Sequence, residues 1–284
     1  MHTEARRRDF DLVRLFNNHY RIVIMGVVNT TPDSFSDGGY FLDPSAAVAQ
    51  ALRLVDQGAD IIDIGGESSR PGAMPVSESE ELQRVIPVVS ELAGKCSVPI
   101  SIDTTKSVVA RAALEAGASI INDISALHHD AEMAQVAAKH NAGLVLMHMR
   151  GTPQQMQQDT AYSDLIGEIV DYLSVAITKA ESAGVAPDKI MVDPGIGFGK
   201  DLEGNLSILR SISQLKSLGK PVLIGASRKS FIGRVTGTDS GDRLAGSLAA
   251  AVVAVMNGAS AVRVHDVAET RQAVDLAVRL RGTQ

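Results

Sequence analysis

Residues 189–200 read KIMVDPGIGFGK. Three apolar residues, Ile190, Met191 and Val192, deliver a carboxylate, Asp193. Pro194 then stops the strand, and Gly195, Gly197 and Gly199 let the backbone turn tightly around Phe198. A short apolar run bounded by Pro and Gly suits a strand buried on both faces. An acid at the downstream end of such a strand does not belong in an apolar core without a partner. The same construction, an apolar run that ends in polar residues and leads to a helix, recurs along the chain.

Working outward, residues 21–29 form an apolar strand followed by the polar loop NTTPDSFSDGG. A helix from residue 44 stops at Gly58, and a strand at 61–64 leads to GGESSRPG. The helix at 78–93 follows, with Ser77 as its cap three residues ahead of Glu80. Strands at 100–103, 120–124 and 144–148 alternate with helices at 107–116, 131–139 and 162–183. After the quoted stretch come helix 204–215, strand 222–225, helix 242–257, strand 262–265 and helix 268–280. Gly58, Gly117 and Gly258 mark helix stops. Eight strand–helix units without an interdomain linker predict a single (β/α)8 TIM barrel rather than an open doubly wound sheet. The expected division is an N-terminal extension over 1–20, with Arg6, Arg7 and Arg8 solvated, and one catalytic domain over 21–284.

Composition narrows the function. Of 284 residues 45% are hydrophobic, which excludes a disordered chain, and there is no Trp, so Val, Ile, Leu and Ala must fill the core. A net charge of −6 offers no basic footprint for nucleic acid or an anionic membrane. An anionic substrate needs a local cluster of cations instead. The single Cys96 excludes an intrachain disulfide and suits a reducing, cytoplasmic setting. The first twenty residues are charged and lack the apolar segment of a signal peptide. The uncharged run 244–262 contains Ser247, Asn257, Gly258 and Ser260, and reads as a helix, a turn and a strand rather than a membrane span.

In a barrel of this type the active site lies at the downstream strand ends. Those ends carry Asn29, Glu67 with Arg70, Asp103, Asn122 with Asp123, His148, Asp193, Ser227 with Lys229, and Arg263 with His265. The upstream ends carry mostly Gly, Ala and Pro. Each polar residue has a structural alternative: Asp103, Asp123 and Asp193 could cap turns, His148 and His265 could be satisfied core histidines, and Glu67 could pair with Arg70. A set of buried charges with no shared purpose is costly, which favours a ligand site. Two carboxylates and an Asn can read the donor-rich edge of a flat 2-amino-4-oxo heterocycle, with Lys229 as the complementary donor. Arg70, Arg263 and His265 make a cationic group suited to phosphate. No Walker sequence and no zinc spacing occurs. Asn29 and a phosphate together would suit octahedral Mg²⁺.

These segments resemble one family. NTTPDSFSDGG, GGESSRPG, SIDTTK, IINDIS, LMHM, DPGIGFGK, SRKSFIG and RVHDV match, in order and spacing, the motifs of the dihydropteroate synthases. The resemblance implies an enzyme of folate biosynthesis that joins 6-hydroxymethyl-7,8-dihydropterin pyrophosphate to p-aminobenzoate and releases pyrophosphate. It further implies that Asp103, Asn122, Met147, Asp193 and Lys229 hold the pterin. Phe35, Ser69, Arg70, Pro71, Phe198 and Ser227 would shape the p-aminobenzoate side. Asn29, Arg70, Arg263 and His265 would take the pyrophosphate, with Asn29 as the ligand of Mg²⁺. Asp37, Lys229 and Asp103 would be the catalytic groups, and a homodimer is implied. The family's usual Thr before the Arg of the second loop is Ser69 here, which keeps the hydroxyl and loses a methyl. A dissociative substitution is expected, because the ring can delocalise charge at its exocyclic methylene while the cations stabilise departing pyrophosphate. The alternatives are a corrinoid-linked pterin methyltransferase and a catalytically silent pterin-binding homologue.

Overall fold

The structure, a computed structural model, describes residues 15–16, 21–31 and 44–282. Eight strands run parallel: β1 Val23–Asn29, β2 Ile61–Gly65, β3 Ile100–Asp103, β4 Ile120–Asp123, β5 Gly143–Met147, β6 Ile190–Asp193, β7 Leu223–Ile224 and β8 Ala261–Val264. They pair in the order β6-β5-β4-β3-β2-β1-β8-β7, and a parallel bridge from Val192 to Val222 closes the ring. The fold is the (β/α)8 barrel that the alternation predicts.

The outer helices are α1 Pro44–Asp56, α2 Glu78–Lys95, α3 Ser107–Ala116, α4 Met133–Lys139, α5 Leu165–Ser182, α6 Leu202–Arg210, α7 Ser230–Thr236, α8 Leu244–Met256 and α9 Val267–Arg281. Ser77 caps α2 as expected, its hydroxyl accepting from the Glu80 N–H at 3.2 Å. The run 244–262 divides into α8, a turn at Gly258 and β8, and among the described residues no helix is long and apolar enough to cross a membrane.

Capping chemistry explains where the elements depart from the expected bounds. The fifth helix starts at Leu165 rather than 162, because the Asp164 carboxylate accepts the Gly167 N–H. The sixth starts at Leu202, capped by Asp201, and its tail from Ile212 to Leu218 tightens into a 3₁₀ turn. β4 stops at Asp123, whose carboxylate takes the N–H groups of Ser125 and Leu127 and turns the chain. The loop after β7 also contains the short helix α7, which the apolar periodicity does not mark.

Alternation along the strands sorts the side chains into two populations. Ile62, Ile64, Ile121, Leu144, Leu146 and Val192 join the large shell packed under the helices. Val23, Met25, Ile61, Ile120, Val145, Met191, Leu223 and Ala261 instead meet inside the barrel as its floor, with Leu15 and Phe16 packed against them. One step further along the strands the inward positions turn polar: Asp63, Ser101, Asn122, Asp193 and Arg263. The apolar floor therefore seals the lower end, and the polar layer faces the rim.

Candidate active site

Parallel registry brings the expected strand ends side by side. Asp103 lies opposite Asn122 and Gly65, and Met147 lies opposite Asp193. One cleft is lined by Ser69, Asp103, Asn122, Met147, Asp193, Phe198, Ser227, Lys229, Arg263 and His265, closed in by Ile124, Ile196 and Gly225. Pro71 is exposed and lines an adjoining cleft with Gly197, Ser230 and Arg234. Arg70 is exposed on the same loop and lines neither cleft. Asn29 is half-buried at the end of β1, where it pairs in register with Gly65. Phe35 and Asp37 lie outside the described residues.

Arg263 is the hub of the polar layer. Its Nε donates to Asp63 at 2.6 Å and its Nη2 to Asp103 at 2.7 Å. Two edges of the guanidinium expected on phosphate are thus committed to carboxylates at the heterocycle end of the cleft. The Asn122 amide donates to the same Asp63 oxygen at 3.1 Å, which orients the amide. Asp63 is fully buried, and its second oxygen has no partner among the described residues. The sequence reading missed Asp63; the signal was a charged residue inside the apolar strand IIDIG.

Burial raises Asp103 to about 7, with the Arg263 charge opposing and Asp63 reinforcing. Asp193 is also pushed up by burial, against the Gly195 N–H, which donates to its Oδ1 at 2.7 Å. Asp193 therefore both braces its turn and lines the cleft. Lys229 is pushed down to about 8 by burial and by Arg263, while Asp193 and Asp103 pull it back up. Its ammonium sits 4.1 Å from the centre of the Phe198 ring, in cation–π contact.

His265 places Nδ1 3.1 Å from the Ser227 hydroxyl, and burial lowers it to about 4. In the free protein it is a neutral donor or acceptor, not the cation expected from sequence. His148 is buried, with Nδ1 2.7 Å from the Lys200 ammonium, and burial together with that charge lowers it to about 2. It is a structural acceptor. Asp123 spends its carboxylate on the turn after β4, which is its structural alternative. Glu67 pairs with Lys106, not with Arg70, because Lys106 reaches it from the end of β3 and also holds Glu81 of α2.

Taken as a set, acceptors on β3, β4 and β6, an ammonium over an aromatic ring and a histidine–serine pair surround one cleft. Such an arrangement can hold a flat, donor-edged heterocycle and leave a polar rim for an anion.

Comparison with known proteins bears on this cleft. The family model described as "Pterin binding enzyme" matches residues 25–265. The chain is 50% identical to a dihydropteroate synthase of Synechocystis sp. over 89% of this chain and 88% of that one. A crystal structure of dihydropteroate synthase from Clostridium difficile, in the presence of pteroic acid, superposes with a TM-score of 0.87 at 46% identity, covering 92% of this chain and 97% of the other. The Xanthomonas albilineans dihydropteroate synthase with 4-aminobenzoic acid gives a TM-score of 0.87 at 44% identity, covering 93% and 94%. The matched span runs from within β1 to His265 and takes in β2 to β8 and every lining residue of the cleft, so this chain belongs to the pterin-binding enzyme family.

Proposed function

We propose that this protein is a dihydropteroate synthase, a transferase of folate biosynthesis. It condenses 6-hydroxymethyl-7,8-dihydropterin pyrophosphate with p-aminobenzoate to give 7,8-dihydropteroate and pyrophosphate. The observation that carries this reading is the convergence of Asp103, Asn122, Asp193 and Lys229 on one cleft in a chain 50% identical to a dihydropteroate synthase.

The pterin lies on the polar layer. Asp193 and Asp103 accept from its amino and ring N–H groups, and the Asn122 amide, oriented by Asp63, adds a further contact. Lys229, protonated at neutral pH, donates to the ring oxygen or nitrogen. Met147 packs against the heterocycle, and Phe198, already in contact with Lys229, separates the pterin from the aminobenzoate side formed with Ser69, Arg70, Pro71 and Ser227. Neutral His265 and Arg70 receive the pyrophosphate, while Arg263, whose Nε and Nη2 are held by Asp63 and Asp103, keeps only its remaining N–H groups for it.

Mg²⁺ fits the donor chemistry. Among the described residues no cluster of three or more His, Cys, Asp or Glu could hold a metal. Asn29, however, is a half-buried oxygen donor at the rim, and Mg²⁺ characteristically takes few protein ligands and completes its shell with phosphate and water. When bound it would neutralise charge on the departing pyrophosphate. Departure precedes attack by the neutral amine, because the protein offers cationic support to the leaving group and the reaction needs no side-chain nucleophile. The enzyme acts in the cytoplasm as a homodimer; exposed Val253 and Met256 on α8, beside Leu276 and Leu280 on α9, support pairing of two copies.

Pyrophosphate release, assayed with both substrates and Mg²⁺, tests the reading. Release that requires both organic substrates supports it, and release absent under saturating substrates overturns it.

A further inference from the structure

Lys200 ends the stretch that decides the fold, yet it is buried to 2% exposure and lies outside the pterin cleft. A lysine so enclosed needs a partner for each N–H. Its ammonium has four acceptors: the Pro194 carbonyl at 2.7 Å, the Gly195 carbonyl at 2.9 Å, the His148 carbonyl at 3.1 Å and His148 Nδ1 at 2.7 Å. Two of these oxygens belong to the loop leaving β6, and both His148 groups lie at the end of β5. The side chain therefore turns back from residue 200 and ties its own loop to the neighbouring strand.

The backbone is shaped for this tie. Gly195 has φ of +71°, and a Cβ there would lie 1.9 Å from the His148 carbonyl oxygen. The two segments thus approach more closely than any side chain at 195 would permit. That approach gathers carbonyl dipoles, and the ammonium in their midst offsets their repulsion. Burial pushes Lys200 well below the usual lysine range, and the charge of Asp193 draws it back. Reciprocally, the Lys200 charge helps hold Asp193 ionised against its own burial.

The tied loop carries two groups of the reaction. Asp193 precedes it, with Oδ1 fixed by the Gly195 N–H, and Phe198 follows, its N–H bonded to the Gly195 carbonyl that Lys200 also holds. The geometry points to Lys200 as a positioning residue: its ammonium clamps the β6 loop onto β5, setting Asp193 for the pterin and Phe198 for the aminobenzoate without touching either substrate. This rests on the dihydropteroate synthase reading above.

The experiment compares wild type with Lys200→Met, which keeps the stem and removes the ammonium, and with Gly195→Ala, which lifts the loop off His148 while keeping the lysine. Each is assayed well below its own unfolding midpoint, so that a loss of folded protein alone leaves affinities unchanged. Kd for 6-hydroxymethylpterin by calorimetry and KM for p-aminobenzoate should both rise about tenfold in each variant, the order expected when one charge-assisted contact is lost. The double variant should lose little more than either single one, because both break the same clamp. Unchanged Kd and KM in folded Lys200→Met, or fully additive losses in the double variant, would overturn the inference. Wild type without pyrophosphate release would instead sink the functional reading itself.

Discussion

At the scale of single residues, burial works against the carboxylates of the cleft and pushes both Asp103 and Asp193 above the usual range. Asp193 is buried at 5% exposure and relies on one backbone N–H and on surrounding cations. Asp193→Asn should leave the barrel folded and weaken pterin binding at least tenfold. An amide offers a donor where the ring presents donors, and one mismatched buried contact costs about 1–3 kcal/mol. Calorimetric titration with 6-hydroxymethylpterin measures this, and wild-type affinity would remove Asp193 from the pterin site. Two other groups set the pH response. Asp103 ionises at about 7 and Lys229 loses its proton at about 8. If the carboxylate and the ammonium are the binding forms, kcat/KM for the pterin substrate should rise through about 7 and fall through about 8. Lys229→Arg stays protonated across this range, so its profile should lose the alkaline limb while keeping the acid one. An alkaline limb that persists in that variant would place the second titration elsewhere.

At the scale of elements, the helices are held to the barrel by charges as well as by apolar packing. Glu81 on α2 is fully buried, and its ion-pair partner is Lys106 at the end of β3, which also takes Glu67 from the loop after β2. One ammonium thus joins a helix and two strand ends. Lys106→Met should lower unfolding free energy by about 3–5 kcal/mol, the loss typical when a buried charge is left without its partner. The double change Lys106→Met with Glu81→Gln should recover part of it, since the uncompensated charge is gone. Denaturant unfolding of the three proteins measures the pattern, and equal stability in the single and double variants would show that Glu81 is not the charge at issue.

At the scale of the whole molecule, Arg263 spans the barrel interior and links β8 to β2 and β3 through Asp63 and Asp103. It has a structural duty beyond any contact with phosphate. Arg263→Ala should therefore destabilise the fold by about 3–5 kcal/mol, because fully buried Asp63 loses its cation. His265→Ala removes no ion-pair partner and should leave the unfolding midpoint nearly unchanged while weakening pyrophosphate. Thermal unfolding of the two variants separates these roles; equal and small shifts would mean that the interior ion pairs contribute little to stability.

The order of strands and helices, and the rim on which polar residues gather, were determined locally. Alternating apolar runs, helix stops such as Gly117 and the polar residues closing each strand can be read without knowing what lies beside them. The same pattern pointed to Asp103, Asn122 and Asp193, because a polar residue at the end of a buried strand stands out against its neighbours, and to Lys229 in the loop just beyond β7. Partners were a different matter. That Arg263 pairs with Asp63, 200 residues away, that Lys106 rather than Arg70 takes Glu67, and that Lys200 folds back onto His148 follow from which strands the closed ring sets side by side. The same enclosure lowers His265 to about 4 and takes it out of the cationic group expected for phosphate. Residue type fixes which groups can carry charge. Only tertiary packing decides which are desolvated and what stands within reach, and those two quantities set every ion pair and every shifted titration in the site.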